Sequence, residues 1–408
     1  MKGENKTKKY IFTGVGIALL IALVVCFAIA AKNIKISGVE TNTTGETASQ
    51  ISQEYDDINY GSSTNLTDSG VVNITNGGSY NLSGNYEQIV VNTTKDVELN
   101  LSNATITCTN GPAINVVEAD TVSIVLTGTN KIAATTTEDL DGAIYSKADL
   151  VFSGEGSLEV KSNYDGIVSK DTLVIKNGTY TINASDDGIR GKDNVAIVDG
   201  TFTITAGGDA IKSTNEEDTE KGYISIDGGI FSINSVDDGL HSNGNITINN
   251  GELTITSKDD AIHADGLIEI NGGTFTISAA EGIEATYVKI NDGTISISAS
   301  DDGINAGNKS SDYSVTIEIN GGYITITMGQ GDTDGIDSNG NLYINGGTIN
   351  ITANSPFDYD GTAQYNGGKL IVNGEETTTI TNQMMGGQMM NGNMGQGMPG
   401  GMRGGRTQ

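Results

Sequence analysis

Apolar and polar residues alternate in short runs along most of this chain. Thr274-Phe275-Thr276-Ile277-Ser278-Ala279 is typical. The two-residue period of an extended strand puts Phe275, Ile277 and Ala279 on one face and Thr274, Thr276 and Ser278 on the other. Gly272-Gly273 precedes this run, and a second short strand, Ile268-Glu269-Ile270-Asn271, precedes the glycines. An acid-Gly-Ile phrase opens the unit. It reads Asp186-Asp187-Gly188-Ile189, Asp237-Asp238-Gly239-Leu240, Asp259-Asp260-Ala261-Ile262 and Asp301-Asp302-Gly303-Ile304, with weaker copies around Asp165, Asp209, Glu281 and Asp334. From Asp165 to Asp334 the second acid recurs at steps of 22, 22, 29, 22, 21, 21 and 32 residues.

A period near 22 residues, built of strands and turns, predicts one coil of a solenoid. Aligning the copies stacks Tyr180, Phe202, Phe231, Leu253, Phe275, Ile295, Ile324 and Ile349 in one inward column. The Ile of the acid-Gly-Ile phrase, from Ile189 to Ile336, forms a second. Ile226, Ile248, Ile270, Ile290, Ile319 and Ile344 form a third. The expected fold is all-β: a right-handed parallel β-helix of three sheets, about a dozen coils and about 60 Å long at about 4.8 Å per coil. Gly at the corners allows positive φ at least cost. The two longest steps are insertions, Ser213 to Gly222 and Ala306 to Ser314, expected to project from one corner.

Four segments follow from this pattern. Residues 1–31 carry Lys2, Lys6, Lys8 and Lys9 before an uncharged apolar run, which reads as a signal peptide or an N-terminal membrane anchor. Residues 32–70 lack apolar period and read as a surface linker. Residues 71–374 form the solenoid. Residues 375–408, rich in Met and Gly, read as a disordered tail, with a copper(I)-binding methionine tract as the sharper alternative. The leader places the rest outside the cell, at the cell surface or secreted, with the membrane met only through that segment. A monomer is expected.

Composition narrows the chemistry. A net charge of −29 excludes nucleic acid as a partner and suits a protein that collects cations. Cys26 lies in the apolar leader and Cys108 stands alone, so no disulfide is available to the solenoid. Residues one period apart stack, which makes Asp165, Asp187, Asp209, Asp238, Asp260, Glu281, Asp302 and Asp334 a carboxylate column. Asp186, Asp237, Asp259 and Asp301 make a partial second one. Carboxylates about 4.8 Å apart repel by roughly 1 kcal/mol in water and several times that in a drier groove. Ca²⁺, with oxygen ligands at about 2.3–2.6 Å, fits between them. The plainer reading is that each Asp is a turn former bonding local backbone N–H groups. Two histidines and no useful cysteine disfavour zinc. Three residues after each second acid comes a varied column, Arg190, Lys212, His241, His263, Glu284, Asn305 and Asp337, read as outward, solvated and able to touch a ligand.

Three stretches carry a family resemblance: Asn110-Gly111-Pro112-Ala113-Ile114, Gly142-Ala143-Ile144-Tyr145-Ser146-Lys147, and Asp186-Asp187-Gly188-Ile189-Arg190-Gly191-Lys192, together with the Met/Gly-rich tail. They resemble the carbohydrate-binding parallel β-helix domain of bacterial surface proteins, related in architecture to pectate lyases, over about residues 71 to 374. The resemblance implies extracellular location, calcium on the stacked acids, and binding of cellulose-like and pectin-like polysaccharides of plants or cell walls. Copies with Tyr164, Gly208, Ala280 or Thr333 in place of the first acid depart from the pattern.

Three functions compete. A non-catalytic polysaccharide-binding module would use the hydroxyls and amides of the flat faces, with Arg190, Lys192, Lys212, His241 and His263 as carbohydrate-binding candidates. A calcium-dependent pectate lyase would centre on Arg190, the only arginine between Val71 and Gly374, beside Asp186 and Asp187. An ice-binding solenoid would use outward pairs such as Thr203/Thr205, Thr254/Thr256, Thr276/Ser278 and Thr325/Thr327, although strand propensity accounts for Thr there equally well. The acids recur in every repeat and read as architecture, so no catalytic residue is assigned.

Overall fold

The computed structural model describes residues 46–67, 69–330 and 333–382. Within them lie 37 strands and one short helix, α1 (Ala48–Gln53). Nearly all strand pairing is parallel, and through the regular part each strand pairs with the one three further on, so that one coil contributes three strands. The leader 1–31, residues 32–45 and the tail from 383 lie outside the described residues.

The three inward columns expected from the repeats stand in register. Tyr180 pairs with Phe202, Phe202 with Phe231, and the series continues through Leu253, Phe275, Ile295 and Ile324 to Ile349, all buried. The same holds for Ile189 through Ile336 and for Ile226 through Ile344. These columns divide the wall into three runs of stacked strands. The acid column contains strands such as Ile189–Gly191 and Ile304–Ala306. The middle column contains Asn194–Ile197 and Thr316–Ile319. The hydroxyl column contains Thr201–Ala206 and Thr274–Ala279.

Like residues stack on like. The rings of Tyr180 and Phe202 lie 5.1 Å apart and nearly parallel, and those of Phe202 and Phe231 4.6 Å apart. At the corner after the middle column a ladder of amides runs up the stack. Asn249 Nδ2 donates to Asp227 at 2.7 Å, Asn271 to Asn249 at 2.9 Å, Asn291 to Asn271 at 2.7 Å, and the chain continues through Asn320 and Asn345 to Asn366. The next corner turns on glycines with positive φ, such as Gly200 (φ 142°) and Gly273 (φ 102°), which no β-branched residue could adopt without strain.

Both ends of the solenoid extend beyond the expected 71–374. Residues 46–67 were expected to be part of a structureless linker, yet Thr47 caps α1 through a capping box with Gln50, and Ala48 and Ile51 bury against Val151, Val174 and Ala196. Those three point outward from the middle column, where an uncovered apolar run would otherwise meet water. Ser49 N–H donates to Asp227 Oδ2 at 2.7 Å and Tyr55 Oη to Asp149 Oδ2 at 3.1 Å, which ties the segment along the wall. At the other end Glu375–Thr377 returns antiparallel on Lys369–Val372, giving the terminal edge a partner. Asn382 Nδ2 still bonds Tyr359 O at 2.7 Å.

Removing a ring from the stacked column tests how far the fold depends on it. Phe202→Ala should cost about 3–5 kcal/mol, as for other buried aromatics, read as a lower urea midpoint with an unchanged slope. A loss under about 1 kcal/mol would mean the neighbouring coils carry the column without it.

Candidate functional site

The acid column separates its two carboxylates. The second acids from Asp165 to Asp260 are buried, Asp165 being 1% exposed and Asp260 4%, while Glu281, Asp302 and Asp334 are half-buried. The first acids Asp186, Asp237, Asp259 and Asp301 are exposed. The pair therefore does not form a common clamp in each coil: among the described residues Asp186 is the one first acid that joins a donor group, with oxygens of Asp165 and Asp187 within 4.8 Å. The buried acids accept backbone hydrogen bonds, as a turn former would, but from the next coil. Asp187 N–H donates to Asp165 Oδ1 at 3.1 Å, Asp209 to Asp187 at 2.9 Å, Asp238 to Asp209 at 2.9 Å, Asp260 to Asp238 at 3.0 Å, and Asp334 to Asp302 at 3.1 Å.

The second oxygen of each acid faces the varied column, which is half-buried rather than solvated. Arg190 reaches Asp165 at 2.7 Å and Asp187 at 4.0 Å and also bonds Asp141. Lys212 lies 2.6 Å from Asp209 and 3.4 Å from Asp187. His241 Nδ1 is 2.7 Å from Asp238, His263 Nδ1 is 2.7 Å from Asp260, and the two rings stack 5.0 Å apart. The cations proposed from sequence to meet sugar are thus counter-ions of the buried acids. Lys192 differs: it reaches Glu217 on the first insertion at 2.6 Å. Burial works against the imidazolium of His263, but Asp260, Asp238 and Glu284 outweigh it and raise His263 to about 9. For Asp165 burial wins over Arg190, and its carboxyl is pushed up to about 7.

Beyond His263 the counter-ions stop. Glu284, Asn305, Asp337 and Asp358 occupy successive positions of the varied column. Burial followed by neighbouring carboxylates pushes Glu281 up to about 8, Asp302 to about 6 and Asp337 to about 7, with an amide hydrogen bond from Asn305 only partly relieving Glu281. Lys309, on the second insertion, folds back to Glu284 at 2.8 Å.

Four donor groups bring their ligand atoms within 4.8 Å: Asp165/Asp186/Asp187, Asp209/Asp238/His241, Asp238/Asp260/His263 and Asp260/Glu281/Glu284. In the first three a metal would compete with Arg190, Lys212 or the histidine protons. The fourth offers carboxylate oxygens alone and suits a hard cation such as Ca²⁺, which would there compete with His263, 2.7 Å from Asp260 and 3.3 Å from Glu284, and with Lys309, 2.8 Å from Glu284. Glu284 was not among the acids singled out for metal. Its signal was present, since it follows Glu281 by the spacing at which His263 follows Asp260.

The hydroxyl column carries the outward Thr and Ser pairs. Thr203, Thr205, Thr254, Thr256, Thr276 and Ser278 are all exposed, and none of the five cation candidates lies among them.

A family model described as a carbohydrate-binding domain-containing protein matches residues 68–330 and, in a second overlapping span, 256–386. No curated protein matches the chain. A solved structure described as a polysaccharide lyase-like protein from C. thermocellum, in a gadolinium derivative, is similar at 30% identity over 51% of this chain and 87% of its own, with a TM-score of 0.44.

The raised carboxyls fix a pH dependence. Unfolded carboxyls titrate near about 4, so Glu281, Asp337 and Asp302 hold protons more tightly when folded. Their contribution to stability is complete below about pH 4 and is lost as pH rises through about 6 to 8. His263, raised above its usual value, is lost in the same direction through about 9. In metal-free buffer the melting temperature should fall by several degrees between about pH 5 and pH 8.5. Glu281→Gln should flatten that fall, and an equal fall in the variant would assign it elsewhere.

Proposed function

This chain belongs to the carbohydrate-binding domain-containing family, and from that premise we propose that it is a non-catalytic, extracellular polysaccharide-binding protein stabilised by calcium. The polymer would be cellulose-like or pectin-like, and the N-terminal segment would tether or deliver the solenoid to the cell surface. The same reading makes the fold a right-handed β-helix of three sheets. Three strands per coil and the near-invariant right hand of parallel crossovers support it.

The observation that carries the non-catalytic reading is the use already made of Arg190. A lyase needs a cation free to meet a substrate proton or carboxylate, and this guanidinium is held among Asp141, Asp165 and Asp187. Asp165 and Asp187 are copies of a ladder that repeats from coil to coil, each committed to a backbone N–H of the next coil and to a neighbouring cation. A calcium ion held by Asp260, Glu281 and Glu284 would add positive charge beside Glu281, in competition with His263 and Lys309 for the other two acids.

Retention of the full-length protein on cellulose, pectate and chitin, with and without a chelator, tests the binding reading. We expect retention on cellulose or pectate and no unsaturated uronide product from pectate. Calcium-dependent release of such product, abolished by Arg190→Ala, would make the protein a lyase.

Calcium is tested separately by melting. Millimolar Ca²⁺ should raise the melting temperature, since an ion bound only to the folded stack stabilises it by about 2.7 kcal/mol at a hundred times its dissociation constant. Glu281→Gln with Glu284→Gln should remove most of that rise, and Asp237→Asn with Asp259→Asn little of it. Equal melting with calcium and with chelator would end the calcium reading.

A further inference from the structure

The three columns of the wall differ in what they offer to solvent. The acid column is lined by ion pairs. The middle column is covered by α1 at Val151, Val174 and Ala196, and further along carries the half-buried Lys289 and Glu318, with Lys289 paired to the buried Glu269. The hydroxyl column, over the eight strands from Thr179–Ala184 to Thr348–Thr352, presents Thr, Ser and Asn with one charged outward residue, Glu252. Strand propensity favours Thr on any solvated face. It does not explain why these eight strands carry so little charge, when the same column bears Lys131, Glu159 and Lys161 in the coils before them and Lys369 in the coil after. A protein of net charge −29 has left one long face nearly neutral.

We propose that this face is the docking surface for a neutral, extended polysaccharide chain, lying along the solenoid axis over the central positions Thr181, Thr203, Ser232, Thr254, Thr276 and Ser296. The proposal rests on the polysaccharide-binding reading above and adds the face and the charge class of the polymer. Parallel in-register pairing repeats equivalent hydroxyls at about 4.8 Å along the axis, with outward neighbours on a strand about 7 Å apart. An extended pyranose chain also advances ring by ring with hydroxyls along both edges, so successive coils can meet successive rings. Tyr323 and Ile230, both 52% exposed, are large apolar side chains standing on this face. They suit the C–H faces of sugar rings, as amphipathic aromatics do at other interfaces. Tyr323 and Thr294 also line a shallow cleft of about 360 Å³ with Gly272, Gly273, Gly293 and Gly322, where a polymer can approach the backbone, and the exposed Asp292 is the one charged residue of its lining. A uronate chain fits less well. The face offers it no free cation, and the exposed acids Asp186, Asp237 and Asp301 at the adjoining corner repel it.

The test uses the full-length protein on insoluble cellulose and on immobilised polygalacturonate. Thr254→Glu with Thr276→Glu should reduce retention on cellulose at least about tenfold, with a melting temperature lowered by only a few degrees, since the two stacked carboxylates are exposed and repel weakly in water. Thr254→Val with Thr276→Val keeps shape and strand preference and should weaken retention in the same direction, which guards against a misfolded first variant. The same added charge on the middle column, Thr362→Glu with Gln364→Glu, should leave retention intact. Wild-type retention on cellulose that survives both Thr variants would overturn the assignment of the face and leave the binding reading standing. Retention on polygalacturonate alone would overturn the neutral class. Failure of the wild type on every polymer, with thermal hysteresis in ice or with self-association relieved by the Glu variant, would overturn both readings.

Discussion

The structure depends on parallel pairing in strict register, coil on coil. Each backbone hydrogen bond to the neighbouring coil sets a residue above its counterpart one repeat earlier, so any preference of the sequence becomes a column. For apolar residues this is favourable without qualification: aromatic rings stack and isoleucines interdigitate along a continuous dry interior. For amides it produces a ladder in which each Asn donates to the one before it, from Asp227 to Asn366. For carboxylates it is costly, since like charges are brought together by the same register that builds the fold.

The acid column shows how that cost is met. In Asp165, Asp187, Asp209 and Asp238 one oxygen receives a backbone N–H of the next coil, and the other faces a cation of the varied column. Arg190, Lys212, His241 and His263 do this in successive coils. Past His263 the arrangement changes, and raised carboxyls replace counter-ions. The demand for an external cation is thereby concentrated around Asp260, Glu281 and Glu284 rather than spread evenly over the repeats. The same bookkeeping removes the cation candidates from the sugar-facing side and leaves the neutral hydroxyl column as the face best matched to an uncharged polymer.

Much of this was legible in the sequence because a solenoid converts periodicity directly into position. The three inward columns follow from aligning Phe202, Phe231 and Phe275, and the burial of Asp165 through Asp260 follows from their constant place before Gly-Ile. What period alone does not give is side-chain direction at a corner. Asp237 and Asp238 are neighbours in sequence, yet the first is exposed and the second buried, so a doubled acid does not mean a doubled ligand. Arg190 and Lys212 sit at outward positions, but their long side chains fold back over the ladder. The helix at Ala48–Gln53 escaped because its six residues show too little apolar period. Its docking site was nevertheless visible, since Leu150-Val151-Phe152 and Leu173-Val174-Ile175 are apolar on both faces where Ile224-Ser225-Ile226 alternates.

The central claim is that the wall's chemistry is sorted by column and that the neutral column meets the polymer. Hydroxyl-radical footprinting of the full-length protein bound to cellulose reads side chains on all three columns at once. The account predicts that Tyr323 and Ile230 lose reactivity on binding while Tyr343 on the middle column and His263 on the acid column do not. Protection of Tyr343 or His263 with Tyr323 left reactive would contradict it.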